Sequence, residues 1–229
     1  MPNVTERSFR GLFPETFSFL RNLNENNSKV WFEAHRQEYN EHLIEPLQCL
    51  VEDLAPAMLE IDPLFEVTPA VNKTISRIYR DTRFSRDKSP YKDTVWITFK
   101  RPSKEWKSKP AYFLEISPQS YRYGMGYFSA DKETMDQFRK VIKQMPKEFL
   151  RAITFYPGQG NLVLEGEKYK KTLNESIPSE FQDWYQRKNF YLVYNREMDD
   201  RVLSRALLDD LTDSFYLLAP LYHFLQNIS

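Results

Sequence analysis

Cysteine is almost absent from this sequence, which contains only Cys49. A single cysteine cannot form an intramolecular disulfide or a cysteine-rich zinc site, and such scarcity is typical of a reducing compartment. The chain also lacks any run of about 20 apolar residues, the length that crosses a bilayer. The N-terminal stretch MPNVTERSFRGLF lacks the basic start and the apolar run of a signal peptide. We therefore expect a cytoplasmic protein without a membrane partner.

Several familiar catalytic signatures are missing as well. The sequence contains no G-x-x-x-x-G-K-[ST], no H-E-x-x-H and no G-x-S-x-G. Gly124 and Gly126 form a G-x-G that is too short for a dinucleotide fingerprint, and we interpret it as a bend or bulge in a strand. His35 and His42 lie seven residues apart on a predicted helix, but no third ligand accompanies them, so we predict no metal site. The sequence names no cofactor and leaves open whether the protein is an enzyme.

Net charge is absent too, because 32 Lys and Arg residues balance 32 Asp and Glu residues. A neutral chain does not favour a protein that coats nucleic acid or membrane with its whole surface. The distribution is uneven, however: residues 1–72 carry 5 cationic and 12 acidic side chains, whereas residues 73–109 carry 12 and 4. The basic segment can form a discrete anion site or dock against the acidic N-terminal helices, and both alternatives remain open.

Apolar residues are plentiful, at 41% hydrophobic and 15% aromatic content, which is enough for a substantial core. The N-terminal pattern predicts a helix over residues 14–25. A long amphipathic helix is predicted over residues 29–61, with a kink or break at Pro46. The apolar stripe of this second helix comprises Phe32, Tyr39, Leu43, Leu47, Leu50 and Leu54.

Short β-like runs and further helices follow. We predict strands in FEVTPAV, TISRIYR, TVWITFKR, AYFLEIS, SYRYGMGYF, LVLEGEKYK and NFYLVYNRE. Helices are predicted in KETMDQFRKVIKQMPKEFLRAI, in SEFQDWYQRK and from about Asp200 onward. This order predicts an α+β fold with a largely antiparallel sheet packed against N-terminal, central and C-terminal helices. Without a repeat or long linker, we predict one domain over residues 1–229.

The most informative segment is RIYRDTRFSRDKSPYK, residues 77–92. It holds the cations Arg77, Arg80, Arg83, Arg86, Lys88 and Lys92, and the acids Asp81 and Asp87. A guanidinium group suits phosphate or carboxylate because its planar fork donates paired hydrogen bonds and stays charged. In an extended strand Arg80 points away from Arg77 and Arg83, so the three converge only if the strand ends near Arg80.

This segment also carries a family resemblance. It resembles a bacterial family, with some fungal members, that is catalogued as domain of unknown function 2461. The residues whose spacing carries the resemblance are Arg77, Arg80, Asp81, Arg83, Phe84, Asp87, Lys88 and Tyr91. The likeness extends to NNSKVWFEAHRQEY, to the paired glycines and to the C-terminal LAPLYHFL. The family has no established activity, so the resemblance implies a relationship and no chemistry.

Two classes of function and one structural role are open for this segment. A small-anion binder or phosphate-handling enzyme would use Asp81 or Asp87 to orient an arginine or to act as a general base. Its ligand-binding residues would be Arg77, Arg80, Arg83 and Lys88 as the clamp and Tyr91 as a hydrogen-bond donor. In the structural alternative, the two aspartates hold the arginines in an ionic network that supports a long loop.

A nucleic-acid binder is the second class. Aromatic residues interleave with cations in RIYR, SPYK, KEWKSKPAYF and SYRYGMGYF, and bases stack on such rings. Aromatics that alternate along a strand are also typical of a core. We expect a small anionic partner rather than a polymer, because a polymer footprint normally covers a broader basic face.

Overall fold

The computed structural model describes residues 8–83, 86–104, 106–127, 129–158, 160–174 and 176–228. Within these parts the chain has the predicted α+β fold, with a five-stranded antiparallel sheet. Its strands are β1 (Val95–Phe99), β2 (Pro110–Ile116), β3 (Ser120–Tyr127), β4 (Leu162–Glu165) and β5 (Tyr191–Glu197). Their order across the sheet is β1-β2-β3-β5-β4. No helix in the described part of the chain is long and apolar enough to cross a membrane.

The first helix, α1, spans Pro14–Glu25, as the sequence predicts. Pro14 suits the first helical position, because the N–H that it lacks would have no partner there. A second helix, α2 (Lys29–Ala34), begins after Ser28, whose hydroxyl accepts a hydrogen bond from the Trp31 N–H at 3.3 Å. The polar residues between the two helices therefore separate and cap them.

The predicted long helix is interrupted twice. It consists of α2, α3 (Arg36–Tyr39), a π-helical turn over Asn40–Ile44, and α4 (Glu45–Ile61). The break was predicted at Pro46, which lies in the first turn of α4, directly after the π-helical turn. In a regular α-helix the His42 carbonyl would accept from the N–H of residue 46, which proline lacks. The buried Thr16 hydroxyl of α1 donates to that carbonyl instead.

The apolar stripe of these helices forms part of the core. Tyr39 is half-buried, while the other predicted stripe residues are at most 1% exposed: Phe32, Leu43, Leu47, Leu50 and Leu54. The helices are therefore held mainly by side-chain burial, which is the usual source of helix stability in a folded protein.

The remaining helices are α5 (Lys132–Gln144), α6 (Pro146–Ala152), α7 (Ser179–Tyr185) and α8 (Ala206–Gln226). The Asp131 carboxylate caps α5 by accepting the Thr134 N–H at 2.8 Å. Met135, Phe138 and Ile142 form its buried face. The C-terminal helix begins six residues later than the predicted start near Asp200.

Two predicted strands are wrong. Residues 65–71 and 74–80 form only isolated bridges, although 74–80 runs antiparallel to 90–98. The bridges pair Ile75 with Ile97 and Tyr79 with Tyr91. The segment from Tyr91 to Ile97 is therefore two residues longer than the segment from Ile75 to Tyr79. Unequal spacing breaks a continuous ladder. We call residues 74–98 the arginine hairpin; Phe84, which the family resemblance includes, lies outside the described residues.

The described residues group into two compact units. The first takes its residues from Met1–Phe99, Phe113–Arg122 and Arg196–Asp213. The second takes its residues from Lys100–Tyr112, Tyr123–Asn195 and Ser214–Ser229. Each unit combines three separated stretches, so neither corresponds to one continuous piece of sequence. The prediction of a single domain over residues 1–229 stays a prediction.

The second unit contains a close approach of two strands at the paired glycines. A Cβ atom added at Gly124 of β3 would lie 1.8 Å from the Leu192 carbonyl oxygen of β5. One added at Gly126 would lie 2.4 Å from the Tyr191 Cα. The G-x-G pair is therefore part of a strand, and it permits close backbone contact.

Replacing Leu47 by alanine should lower the free energy of unfolding by about 2–5 kcal/mol, because a fully buried leucine leaves a cavity. Leu59→Ala is the matched control, since Leu59 lies on the same helix and is 39% exposed. Urea unfolding followed by circular dichroism measures both. Equal effects of the two substitutions would contradict the packing described for α4.

Gly124→Ala should destabilise the protein by at least about 1 kcal/mol, because the new methyl group overlaps backbone atoms of β5. Gly158→Ala should cause no such loss, since nothing lies within 4 Å of a Cβ added there. Thermal unfolding of the two variants gives the comparison. A Gly124→Ala protein as stable as Gly158→Ala would show that β3 and β5 are not in this contact.

Candidate anion site on the arginine hairpin

The extended part of the arginine hairpin ends at Arg80. The Arg80 N–H donates to the Pro90 carbonyl, and the Lys92 N–H donates to the Ile78 carbonyl, both at 2.8 Å. After this pair of bonds the chain turns, and the Asp81 carboxylate accepts the Arg83 N–H at 3.2 Å. The extended run therefore ends at Arg80, and convergence of the three arginines stays a prediction.

Tyr91 anchors the hairpin in the first unit. Its ring is 1% exposed and stacks on Phe32, with ring centroids 4.3 Å apart. Its backbone N–H donates to the Asn27 carboxamide oxygen, and its carbonyl accepts from the Asn27 Nδ2, both at 3.0 Å. Burial raises the pKa of the Tyr91 phenol, and Tyr79 raises it further. This placement favours an anchoring role for Tyr91 over the predicted role of ligand donor.

Arg80 is half-buried and only partly paired. Its Nη2 donates to the Tyr91 carbonyl at 3.2 Å and lies 3.0 Å from the Asp87 carboxylate. The Arg80 Nε is buried and has no hydrogen-bond partner among the described residues. A buried donor without an acceptor costs about 1–3 kcal/mol, so this guanidinium can gain from a further acceptor.

The two aspartates are partners of arginines. Asp81 accepts two side-chain hydrogen bonds from Arg83, at 3.0 and 2.8 Å, and these lower the Asp81 pKa to about 2. The hydrogen bond from the Ser89 N–H lowers the pKa of Asp87, and the Ser89 side chain and the charge of Arg80 lower it further. A carboxylate with a depressed pKa accepts protons poorly. The geometry therefore favours the orienting role that we predicted as one alternative, and gives no support to the general-base role.

The other predicted clamp residues differ in their availability. Arg83 is 76% exposed and tied to Asp81, while exposed Lys88 donates to the Thr82 carbonyl at 2.7 Å. Arg77 is exposed and makes no hydrogen bond or ion pair with any described residue. Among the predicted clamp residues in the described chain, Arg77 and Arg80 thus have the capacity to bind more.

Lys92, which was not among the predicted site residues, lies opposite Ile78 across the arginine hairpin. Its side chain is half-buried, and its ammonium has no hydrogen bond or ion pair within the described chain. Burial lowers the pKa of Lys92, and the charges of Arg77 and Arg80 lower it further. Its position opposite Ile78 could have been found by pairing the two sides of the hairpin.

An open cavity of about 510 Å³ lies near Arg80. Asn27 lines it, and the Asn27 Nδ2 and the Arg80 Nη2 donate to the same carbonyl oxygen, at 3.0 and 3.2 Å. The two nitrogens are therefore at most about 6.2 Å apart. The full lining is Glu25, Asn26, Asn27, Ser28, Val30, Trp31, Ala34 and His35, which includes no predicted site residue. A concavity shared by Arg77, Arg80 and Lys88 stays a prediction.

Most aromatics proposed as base-stacking platforms lie in the core. Tyr79 is 46% exposed. The rings that are at most 1% exposed are Tyr91, Tyr112, Tyr121, Tyr123 and Tyr127. Buried rings cannot stack on bases, so the interleaved pattern in the sequence reflects packing at these positions.

The histidines on the N-terminal helices have protein partners. His35 Nδ1 donates to the Trp31 carbonyl at 2.7 Å, and the His42 ring contacts the edge of Phe13. Within the residues that the structure describes, no group of three or more His, Cys, Asp or Glu side chains could hold a metal ion.

The fold and the hairpin define an α+β protein whose basic segment is anchored on its N-terminal helices. Residues 15–224 match the model of a family described as conserved hypothetical protein (DUF2461), and the chain belongs to that family. The resemblance drawn from the sequence is thereby confirmed. A search of curated proteins found no match to this chain.

Arg83→Gln should raise the pKa of Asp81 from about 2 toward its ordinary value of 3.8, because the paired hydrogen bonds are lost. The depressed pKa means that this pairing stabilises the fold above about pH 4 and is lost as the pH falls toward 2. Carboxyl ¹³C NMR titration measures the change. Arg86→Gln is the control, since exposed Arg86 has no partner in the described chain; an unchanged Asp81 pKa in Arg83→Gln would contradict the pairing.

Proposed function

We propose that the protein binds a small phosphorylated or otherwise anionic ligand through Arg77, Arg80 and Lys92. The observation that carries this proposal is the Lys92 ammonium, which is half-buried, has no hydrogen bond or ion pair in the described chain, and has its pKa lowered by burial and by the charges of Arg77 and Arg80. Burying like charges together is unfavourable unless an opposite charge joins them. An anion at this place would offset the repulsion and replace the missing partner.

Arg80 supports the same proposal. Its position is fixed by the anchored Tyr91 carbonyl, so binding would cost little side-chain entropy. Its guanidinium stays charged and carries several donors in one plane, which suits a phosphate or carboxylate. Asp87 is 54% exposed, so an incoming anion can replace it as the partner of Arg80.

The structural alternative accounts for only part of the motif. Asp81 pairs with Arg83 and Asp87 with Arg80, so the two acids partner two of the arginines. Arg77 and Lys92 have no carboxylate partner among the described residues. The two acids together thus leave positive charge that an anion can use.

A small ligand is a better fit than a nucleic acid. The unpaired cations all belong to one short segment of the chain, while a polymer is normally contacted over a broad basic face. The burial of most nearby aromatic rings also removes the stacking platforms that single-stranded binding uses.

Arg80→Lys should weaken binding of a phosphate-bearing ligand by about 1–3 kcal/mol, because lysine keeps the charge and loses the planar fork. The measurement is the ligand-induced rise in melting temperature, taken relative to each variant without ligand. The compounds are inorganic phosphate, nucleotides, sugar phosphates, carboxylates and short oligonucleotides. Arg86→Lys is the control, because Arg86 is an exposed hairpin arginine without a partner in the described chain.

Two outcomes would contradict the proposal. Stabilisation by oligonucleotides but by no small anion would favour the nucleic-acid alternative. If no compound stabilises the wild type while Arg80→Lys alone lowers the melting temperature, the arginines form a structural network.

A further inference from the structure

The cavity near Arg80 has a polar lining that the proposed anion site does not use. Its lining residues come from the end of α1, from α2 and from the residues beside them, all in the first unit. Its volume of about 510 Å³ is typical of a small-molecule site. Because Arg80 and the lining residue Asn27 donate to the same Tyr91 carbonyl, a compound held at Arg80 by its anionic group can place its remaining atoms in this cavity.

Three lining residues have acceptor atoms without a partner in the described chain. The Glu25 carboxylate makes no hydrogen bond or ion pair there. The Asn26 Nδ2 donates to the Asn22 carbonyl at 3.0 Å, so the Asn26 amide oxygen is left over. His35 donates through Nδ1 to the Trp31 carbonyl at 2.7 Å, which leaves Nε2 as an acceptor in the neutral ring. The lining is therefore suited to a ligand that carries several donors.

Two donors complete the polar lining. The Ser28 hydroxyl accepts the Trp31 N–H at 3.3 Å and can still donate, and the Trp31 Nε1 has no partner in the described chain. A hydroxyl group both donates and accepts, so a compound with several hydroxyls can pair with both kinds of lining atom. The His35 ring stacks on Trp31, with ring centroids 3.9 Å apart, so this face of the indole is closed to a nucleobase.

We propose that the ligand is a phosphorylated polyhydroxy compound, such as a sugar phosphate, whose hydroxyl groups bind in this cavity. The inference rests on the proposed anion site and narrows the class of its ligand. Arg80 holds the phosphate, while the three acceptors of the lining receive hydrogen bonds from the hydroxyl groups. The exposed apolar residues Val30 and Ala34 of the lining supply a surface for the carbon atoms of the same compound.

Glucose 6-phosphate is the first probe, with inorganic phosphate and glucose as its separate parts. In isothermal titration calorimetry with the wild-type protein, glucose 6-phosphate should bind at least about tenfold more tightly than inorganic phosphate, because each hydroxyl bonded to a charged acceptor adds affinity. Glucose should bind more weakly than glucose 6-phosphate, since it lacks the group that Arg80 holds. Equal affinities for glucose 6-phosphate and inorganic phosphate would overturn the inference.

Glu25→Ala removes two acceptor atoms at an exposed position where the carboxylate has no partner in the described chain. This variant should bind glucose 6-phosphate about tenfold more weakly and should not bind inorganic phosphate more weakly. Arg80→Lys should weaken the binding of both compounds. Glu52→Ala is the matched control, because Glu52 is an exposed helical glutamate of the same unit that has no partner in the described chain and does not line the cavity.

Two other phosphate compounds test the class of ligand. Phosphoethanolamine offers an ammonium group to the same acceptors, and adenosine 5′-monophosphate offers a base. Both should bind more weakly than glucose 6-phosphate. If either binds more tightly and loses that advantage in Glu25→Ala, the cavity takes an amine or a nucleoside and the polyhydroxy class is wrong.

The two proposals fail in different ways. If Arg80→Lys weakens glucose 6-phosphate and inorganic phosphate alike while Glu25→Ala weakens neither, the cavity inference is wrong and the anion site stands. If neither compound binds the wild-type protein, the anion site is wrong and the inference falls with it.

Discussion

The pairing of Asn27 with the backbone of Tyr91 determines where the basic segment lies. It joins residues 64 positions apart through two hydrogen bonds, one donated by the Tyr91 N–H and one accepted by the Tyr91 carbonyl. The carbonyl also accepts from Arg80, so one peptide group fixes both the hairpin and a guanidinium. Because Tyr91 is packed against Phe32, these bonds are partly buried and are stronger than fully exposed ones.

Local patterns of the sequence were sufficient for much of the fold. The first helix was predicted over its full range because Pro14 begins it and asparagines follow it. The helix stripes and the strands of the sheet were recognised from periodicity, which reflects burial on one face. The hairpin segment 74–80 was predicted as a strand because its residues favour extended backbone, yet unequal spacing across the hairpin prevents a ladder.

The candidate site was less accessible from sequence, because its members depend on long-range pairing. Asp81 and Arg83 are close in sequence, and their pairing follows from a turn. Lys92 is brought opposite Ile78 by the cross-hairpin hydrogen bonds, and Tyr91 is buried against Phe32, 59 residues away in sequence. Composition signals that cations are abundant; only the pairing reveals which of them remain without partners.

The contact between Thr16 and His42 has a consequence for how these helices vary among relatives. Pro46 lacks the backbone N–H that would donate to the His42 carbonyl, and the Thr16 hydroxyl from α1 takes the place of that donor. A relative with an ordinary residue at position 46 regains the donor within its own helix. The Thr16 hydroxyl is then needed only to accept the Phe13 N–H at the start of α1, so a side chain that accepts without donating becomes tolerable at position 16, 30 residues away.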